Sequence, residues 1–477
     1  MRPDLDLCYA PVDLLVRKLR TGLLSPVDLV RNALARIEEV NPLLNAFCFV
    51  YPDEALEQAR LAEHELRSGI DRGPLHGIPL AIKDFTPTAG KATTRGSYSH
   101  QDWLPDRDPV IVERLREAGT ILVGKTTTPE FAYSGFTRSP LWGDTRNPWD
   151  PLKTCGGSSG GSAVAVATGC VPLAEGTDMG GSVRIPASYC GIVGLKPSLG
   201  RIPMDIIASV FDRISHFGPL ARSVNDAALF LRATEGASEA DYQSQCYYQP
   251  LPDVFPRGVK GLRLALSPDL GYFAVDEDVL HALDTAAETF RQAGATVEPV
   301  ELDWTAEQVT DTWTDYWGAF LAAGFGHTLK DYRNQMDPDV IELIEAGLKI
   351  SGQRLMQIEQ AWTRQWQSIA TILERYDALL CPTMALPPVD LHACDGDFNR
   401  VDADGKLHAM DMTHPFNNIG RCPALSVPCG WTGSGLPIGL QIVGRRYEDA
   451  TVLAIGAAWE ALRPWADMRP PLPQTLA

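Results

Sequence analysis

Residues 156–186 read GGSSGGSAVAVATGCVPLAEGTDMGGSVRIP, two serine-bearing glycine loops, Gly156–Ser162 and Gly176–Pro186, separated by a short apolar run. Glycine permits backbone conformations closed to other residues and lets a ligand approach the main chain. Successive N–H groups in such a loop can converge on one point, as a developing oxyanion requires. For either loop alone, a tight turn with a capping serine is the simpler account. Two of them this close in sequence are unusual. The apolar run at 161–174 is too short and glycine-rich to cross a bilayer as a helix.

Outward from this stretch, short apolar runs (GIPLAIK, TILVGK, GIVGLK) alternate with Gly/Pro turns and with helical segments such as VIVERLREAG. That alternation predicts an α/β sheet covered by helices. Residues 1–70 read as helices. Ser25 is placed to cap one beginning at Pro26, and a second should run from near Pro52 to Gly69. SVNDAALFLRATE at 223–235 predicts a capped helix, and 275–293 a long helix between strands at 262–267 and 296–300. Residues 302–376 are helical in pattern and carry five tryptophans, at 304, 313, 317, 362 and 366. They suggest a lid-like apolar cover, although aromatics at helical spacing are commonly plain core. Strands return at 378–382, 424–428 and 437–444, a last helix starts near Asp449, and 390–409 reads as a surface loop. With no repeat or linker, the chain reads as one large domain, 1–477: a helical start (1–70), a core (73–240), the aromatic segment, and the rest of the core (378–460).

Two motifs are misleading. Gly119–Thr126, GTILVGKT, matches the phosphate-binding pattern GxxxxGK[ST]. That loop needs a strand before its first glycine and a flexible cradle between the two. Here a helix precedes Gly119 and a strand lies between the glycines. Gly156–Gly160 matches the G-x-S-x-G nucleophile elbow, which must sit on a sharp strand-to-helix turn. The preceding NPWDPLKTC reads as a loop. A histidine base would also be needed, and His392, His408 and His414 have no distinctive context.

Composition narrows the function. Apolar residues make up 45% and charged residues 21% of the 477, as in ordinary soluble proteins. Forty-two basic against 60 acidic residues give a formal charge of -18, a field that repels nucleic acid and anionic membranes. The start, MRPDLDLCYAPVDLL, carries acids within its apolar stretch, unlike a signal peptide. Ten scattered cysteines without zinc-type spacing suggest reduced thiols in a cytoplasmic protein, with no metal. No cofactor motif survives.

Taken together, the PLHGIPLAIKD run at 74–84, the serine-rich loop at 156–162, GTDMGGSVRIPASYCGIVGLKPS at 176–198 and the 415–446 stretch resemble the amidase signature family. The resemblance covers most of the chain. It implies a central mixed, twisted sheet with helices on both faces and a Ser–cis-Ser–Lys triad. Carried over residue by residue, Ser182 is the nucleophile, Ser158 the bridging serine at a cis peptide bond, and Lys83 the base. Main-chain N–H groups of Met179, Gly180, Gly181 and Ser182 would form the oxyanion hole. Phe131 and Tyr133 would lie by the acyl channel, and Cys155 would border the pocket or be an inert core thiol. Asp178 and Arg184 should pair and brace the nucleophile loop. The implied activity is hydrolysis of a small-molecule amide, aryl amide or carbamate (a urethanase). The same fold also serves amidotransferase subunits that act on glutamine in a tRNA-dependent complex. Those typically carry Gln after the arginine, where this chain has Ile185. A homodimer is a family-level expectation with no residue-level signal behind it.

The chemistry sets a condition on Lys83. A serine hydroxyl needs a base within hydrogen-bond reach, and lysine serves only when neutral. Its pKa of about 10.4 must fall roughly three units, a cost of about 4 kcal/mol that burial can impose. Lys83 follows the apolar run Ile78–Ile82, although a solvated lysine at a strand end is the commoner case.

Overall fold

A strand buried on both faces is apolar at nearly every position. Pro79–Lys83 meets that condition, with all five residues buried. Leu80 and Ile82 enter one apolar core, and Ala81 enters another. The split recurs at Leu122 against Ile121 and Val123, and at Leu173 against Ala174. Further along it recurs at Leu380 against Leu379 and Cys381, and at Ile442 against Val443. One core therefore runs along a whole face of the sheet, and two cores share the other.

This computed structural model describes residues 2–472. Its 11-stranded sheet runs, edge to edge, through Phe47–Val50, Ile121–Thr126, Pro79–Lys83, Leu173–Asp178, His216–Ala221, Val193–Lys196, Ala424–Trp431, Pro437–Gly444, Ala378–Pro382, Arg263–Leu266 and Thr296–Pro299. Pro79–Lys83 is parallel to both neighbours. The centre is antiparallel, and Arg263–Leu266 is again parallel to both of its neighbours. The sheet is thus mixed, and because its strands span the chain from 47 to 444, the fold is a single domain.

Helices cover both faces. Val12, Leu15, Val16 and Leu19 place the helix Val12–Arg20 on the continuous core, alongside Val110–Glu117, Val224–Thr234, Glu277–Gln292 and Asp449–Leu462. Pro26–Leu44, Pro52–Arg67 and Gly160–Ala167 cover the other face at one end. Gly352–Leu373 covers it at the other end through Ile369 and Leu373. Ser25 caps its helix by accepting the Val27 N–H, and Ser223 caps another from Asp226. Among the described residues no helix is long and apolar enough to cross a membrane.

Two sequence expectations need correction. The first 70 residues are not all helical: Phe47–Val50 pairs antiparallel with Ile121–Thr126 and forms a sheet edge. The stretch 390–409 is more than a surface loop. It carries a small ladder, Arg400–Val401 with Leu407–His408, and Ser134 Oγ donates to Asp395 Oδ2 at 2.6 Å. The helix before Gly119 and the strand Ile121–Thr126 after it remove the phosphate-loop alternative.

Trp459 shows what locks the last helix to the sheet. It is fully buried, its indole N–H donates to Pro428 O at 2.8 Å, and its ring packs 5.2 Å from that of Phe290. Trp459→Ala should lower stability by about 3–5 kcal/mol in urea unfolding. A loss below about 1 kcal/mol would show that this contact does not hold the helix in place.

Candidate active site

In open α/β sheets, sites gather at the carboxyl ends of parallel strands. Lys83 ends Pro79–Lys83, and Thr177 and Asp178 end its parallel neighbour. Lys83 is wholly buried, with Nζ 2.6 Å from Ser158 Oγ and 2.9 Å from Thr177 Oγ1. Its main-chain N–H donates to Glu175 Oε2 at 2.9 Å, and Thr86 Oγ1 donates to Oε1 of the same carboxyl at 2.8 Å. Burial pushes the Lys83 amine down to about 7, outweighing the attraction of Glu175 and Asp178 for its charged form. The Gly157–Ser158 peptide bond is cis.

Ser182 lies half-buried in the turn between the strand Leu173–Asp178 and the buried helix Arg184–Cys190. Asp178 shapes that turn by accepting the N–H groups of Gly181 (2.9 Å) and Val183 (3.2 Å). Arg184 grips the same carboxylate through Nε (3.0 Å) and Nη2 (2.9 Å), both partners being fully buried. The guanidinium also donates to Thr413 O, Gln441 Oε1 and Asn417 Oδ1. Burial acts to raise the Asp178 pKa, yet Arg184 and Asn417 hold it well below the usual carboxylate range. Gly181 has φ of +128°, and a Cβ there would lie 1.8 Å from Thr413 Oγ1, so only glycine fits. Ser159 N–H donates to Ser182 O at 3.1 Å and ties the two serine loops together.

A cavity of about 430 Å³ opens over Ser182. Tyr133, Trp313, Trp317, Met179 and Ile185 supply apolar walls, while Thr310, His414 and several carboxylates supply polar ones. Of the residues expected from sequence, Lys83 and Ser158 come together, and Ser182, Met179, Gly180 and Tyr133 line the cavity. The Gly181 N–H is already taken by Asp178, which removes it from the four expected oxyanion donors. Phe131 is turned away from the cavity, stacked on Phe325 with ring centroids 4.1 Å apart. Cys155 is also off the cavity; its thiol faces Thr145 O at 3.3 Å, and burial pushes it up to about 12. Sequence reasoning missed Thr177, Glu175, Asn417 and Gln441, and set His414 aside for want of a distinctive context. His414 Nε2 lies 2.9 Å from Thr310 Oγ1 beside the cavity.

Comparison with known proteins agrees with this geometry. The Amidase family profile matches residues 28–453. An acylamidase of Rhodococcus erythropolis is 36% identical over 453 residues, 94% of each chain. A glutamyl-tRNA(Gln) amidotransferase subunit from Geobacter metallireducens is 34% identical over 476 residues, 94% of this chain and 96% of that one. The crystal structure of a bacterial aryl acylamidase of the amidase signature family superposes with a TM-score of 0.90 at 30% identity, covering 96% and 97% of the two chains. These matches define the class: a hydrolase acting on amide carbon–nitrogen bonds. The chain belongs to the amidase signature family over nearly its whole length.

The Asp178–Arg184 brace has a measurable cost of disruption. Asp178→Asn leaves a buried guanidinium without its counter-charge and should destabilise the protein by about 3–5 kcal/mol in denaturant unfolding. Asp178→Asn combined with Arg184→Gln, which removes both charges and keeps hydrogen-bonding side chains, should cost less than that single change. If the double replacement proves the more damaging, the pair is not acting through its charge.

Proposed function

We propose that the protein is a stand-alone amidase that cleaves its substrate through an acyl-enzyme on Ser182, with Ser158 and Lys83 as the proton relay. The observation that carries this reading is the buried Lys83 amine 2.6 Å from Ser158 Oγ, with its pKa lowered to about 7. A neutral amine has one lone pair and two N–H bonds. Thr177 Oγ1, 2.9 Å away, accepts one N–H and leaves the lone pair for the Ser158 proton. Ser158 in turn takes the proton of Ser182 as its oxygen bonds to the substrate carbonyl carbon. The oxyanion is received by the main-chain N–H groups of the glycine loop, each key donor contributing about 3–4 kcal/mol. The carbon–nitrogen bond then breaks, the proton returns through Ser158 to the departing nitrogen, and water releases the acid from Ser182.

The apolar walls from Tyr133, Trp313 and Trp317 suit aryl or alkyl amides, and carbamates have the same reacting geometry. The helical stretch 302–376 serves here as the recognition wall, since Thr310, Trp313 and Trp317 all border the cavity. Ile185, an apolar residue against the cavity, favours this role over that of a glutamine-using amidotransferase component. Turnover of a simple amide by the purified chain, without partners, separates the two.

A fluorophosphonate should label Ser182 and abolish activity; mass spectrometry that finds the label on Ser158, or on neither serine, would falsify the nucleophile. Lys83→Ala should keep the fold by circular dichroism and lower kcat/KM by about a hundredfold to ten-thousandfold. In the wild type, Lys83 is an inert ammonium below its pKa and a base above it. kcat/KM should therefore rise with pH through an apparent pKa near 7. A flat profile between about pH 5 and 9 rules out the amine as base.

A further inference from the structure

The cavity over Ser182 carries charge of one sign. Asp339, Glu342, Asp395 and Asp411 line it, and among the described residues no lysine or arginine does. Asp339 and Glu342 stand one turn apart on the helix Pro338–Gly347, so they share a face. Asp395 and Asp411 come from the stretch that follows the strand Ala378–Pro382. Two basic side chains stand nearby. Arg138, whose field reaches Asp395, donates to Ala393 O at 3.0 Å and lies over the Phe136 ring at 5.6 Å. His414 Nδ1 is 3.6 Å from Asp411 Oδ1, and Ser134 satisfies one oxygen of Asp395. Burial, reinforced by the like charges of Asp339 and Asp411, pushes the Asp395 carboxyl up to about 6. Burial is the main cause of that rise, and the Arg138 field opposes it.

A second, independent feature points the same way. Trp313 is half-buried and borders the cavity with Tyr133, while Trp317 is only 3% exposed, its ring stacked on both Trp313 (centroids 5.8 Å apart) and Phe320 (5.3 Å). Aromatic faces attract cations, and most strongly where water is excluded. Carboxylates joined to π faces in one cleft attract an ammonium, gain nothing from a methyl group, and repel a carboxylate.

We propose that the substrate is an amide bearing an ammonium group several bonds from the scissile carbonyl, with that group held among the cavity carboxylates beside the half-buried Trp313 ring. The proposal rests on Ser182 being the nucleophile that opens onto this cavity. It assigns Asp339 and Glu342 to substrate selection and gives them no part in the bond-breaking steps.

The test compares three p-nitroanilides of equal chain length: ω-aminoheptanoyl, octanoyl (a methyl in place of the ammonium) and the matching ω-carboxylate. At low ionic strength kcat/KM should fall in that order, the ammonium exceeding the methyl by about tenfold or more. The ratio should shrink in about 0.5 M salt, and shrink at least threefold in the double variant Asp339→Asn/Glu342→Gln. A purely structural role for the two acids would change all three substrates alike and leave the ratio intact, which overturns the proposal. So does equal or better use of the octanoyl compound by the wild type. Failure on all three substrates together with no fluorophosphonate label on Ser182 overturns the nucleophile assignment, and this proposal with it. Labelling of Ser182 with turnover of the octanoyl compound alone overturns only the ammonium proposal.

Discussion

An amine held out of water beside two hydroxyls is the constraint around which this molecule is arranged. Lys83 could not be so held at an edge strand or on a surface helix. It requires a strand covered on both faces, and Pro79–Lys83 has buried neighbours on either side and separate apolar cores above and below. The parallel neighbour brings Thr177 and Glu175 to the same end, one to orient the amine and one to fix its backbone. The cost of stripping water from Lys83 is thus met by the hydrophobic burial of the whole sheet.

Much of this was legible in the amino-acid order. The strands Ala378–Pro382 and Pro437–Gly444 end where their apolar runs end, and the N-caps at Ser25 and Ser223 use local hydrogen bonds. Lys83, Ser158 and Ser182 stood out only through the family resemblance; taken alone, the glycine loops read as turns and the lysine as a solvated strand end. What stayed hidden was non-local. Asp395 sits in a polar, loop-like stretch, and its role at the cavity depends on Ser134, 261 residues earlier. Gln441 and Asn417 reach Arg184 across comparable spans and look like ordinary polar residues in a strand and a short helix. Phe47–Val50 is four residues long, too short for a period to show between two helices.

The aromatic segment resolves into two populations that composition could not separate. Trp304 and Trp362 are buried core, the latter donating its indole N–H to Thr312 at 3.1 Å. Trp313 is half-buried at the cavity, and Trp317, itself 3% exposed, reaches the cavity wall from the core, its Nε1 donating to Tyr133 O at 3.1 Å. A π-helical turn, Glu307–Asp311, leads into the helix that bears both, and Thr310 within that turn borders the cavity. Such turns re-aim the side chains that follow them and are frequent at functional sites.

The chain order of the brace has a consequence for biosynthesis. Arg184 leaves a ribosome 229 to 257 residues before Thr413, Asn417 and Gln441, which share its guanidinium. A nascent chain that stops between them therefore lacks the partners that hold the Arg184–Asp178 pair beside Ser182. The turn that carries Ser182 is thus fixed by segments made long after it.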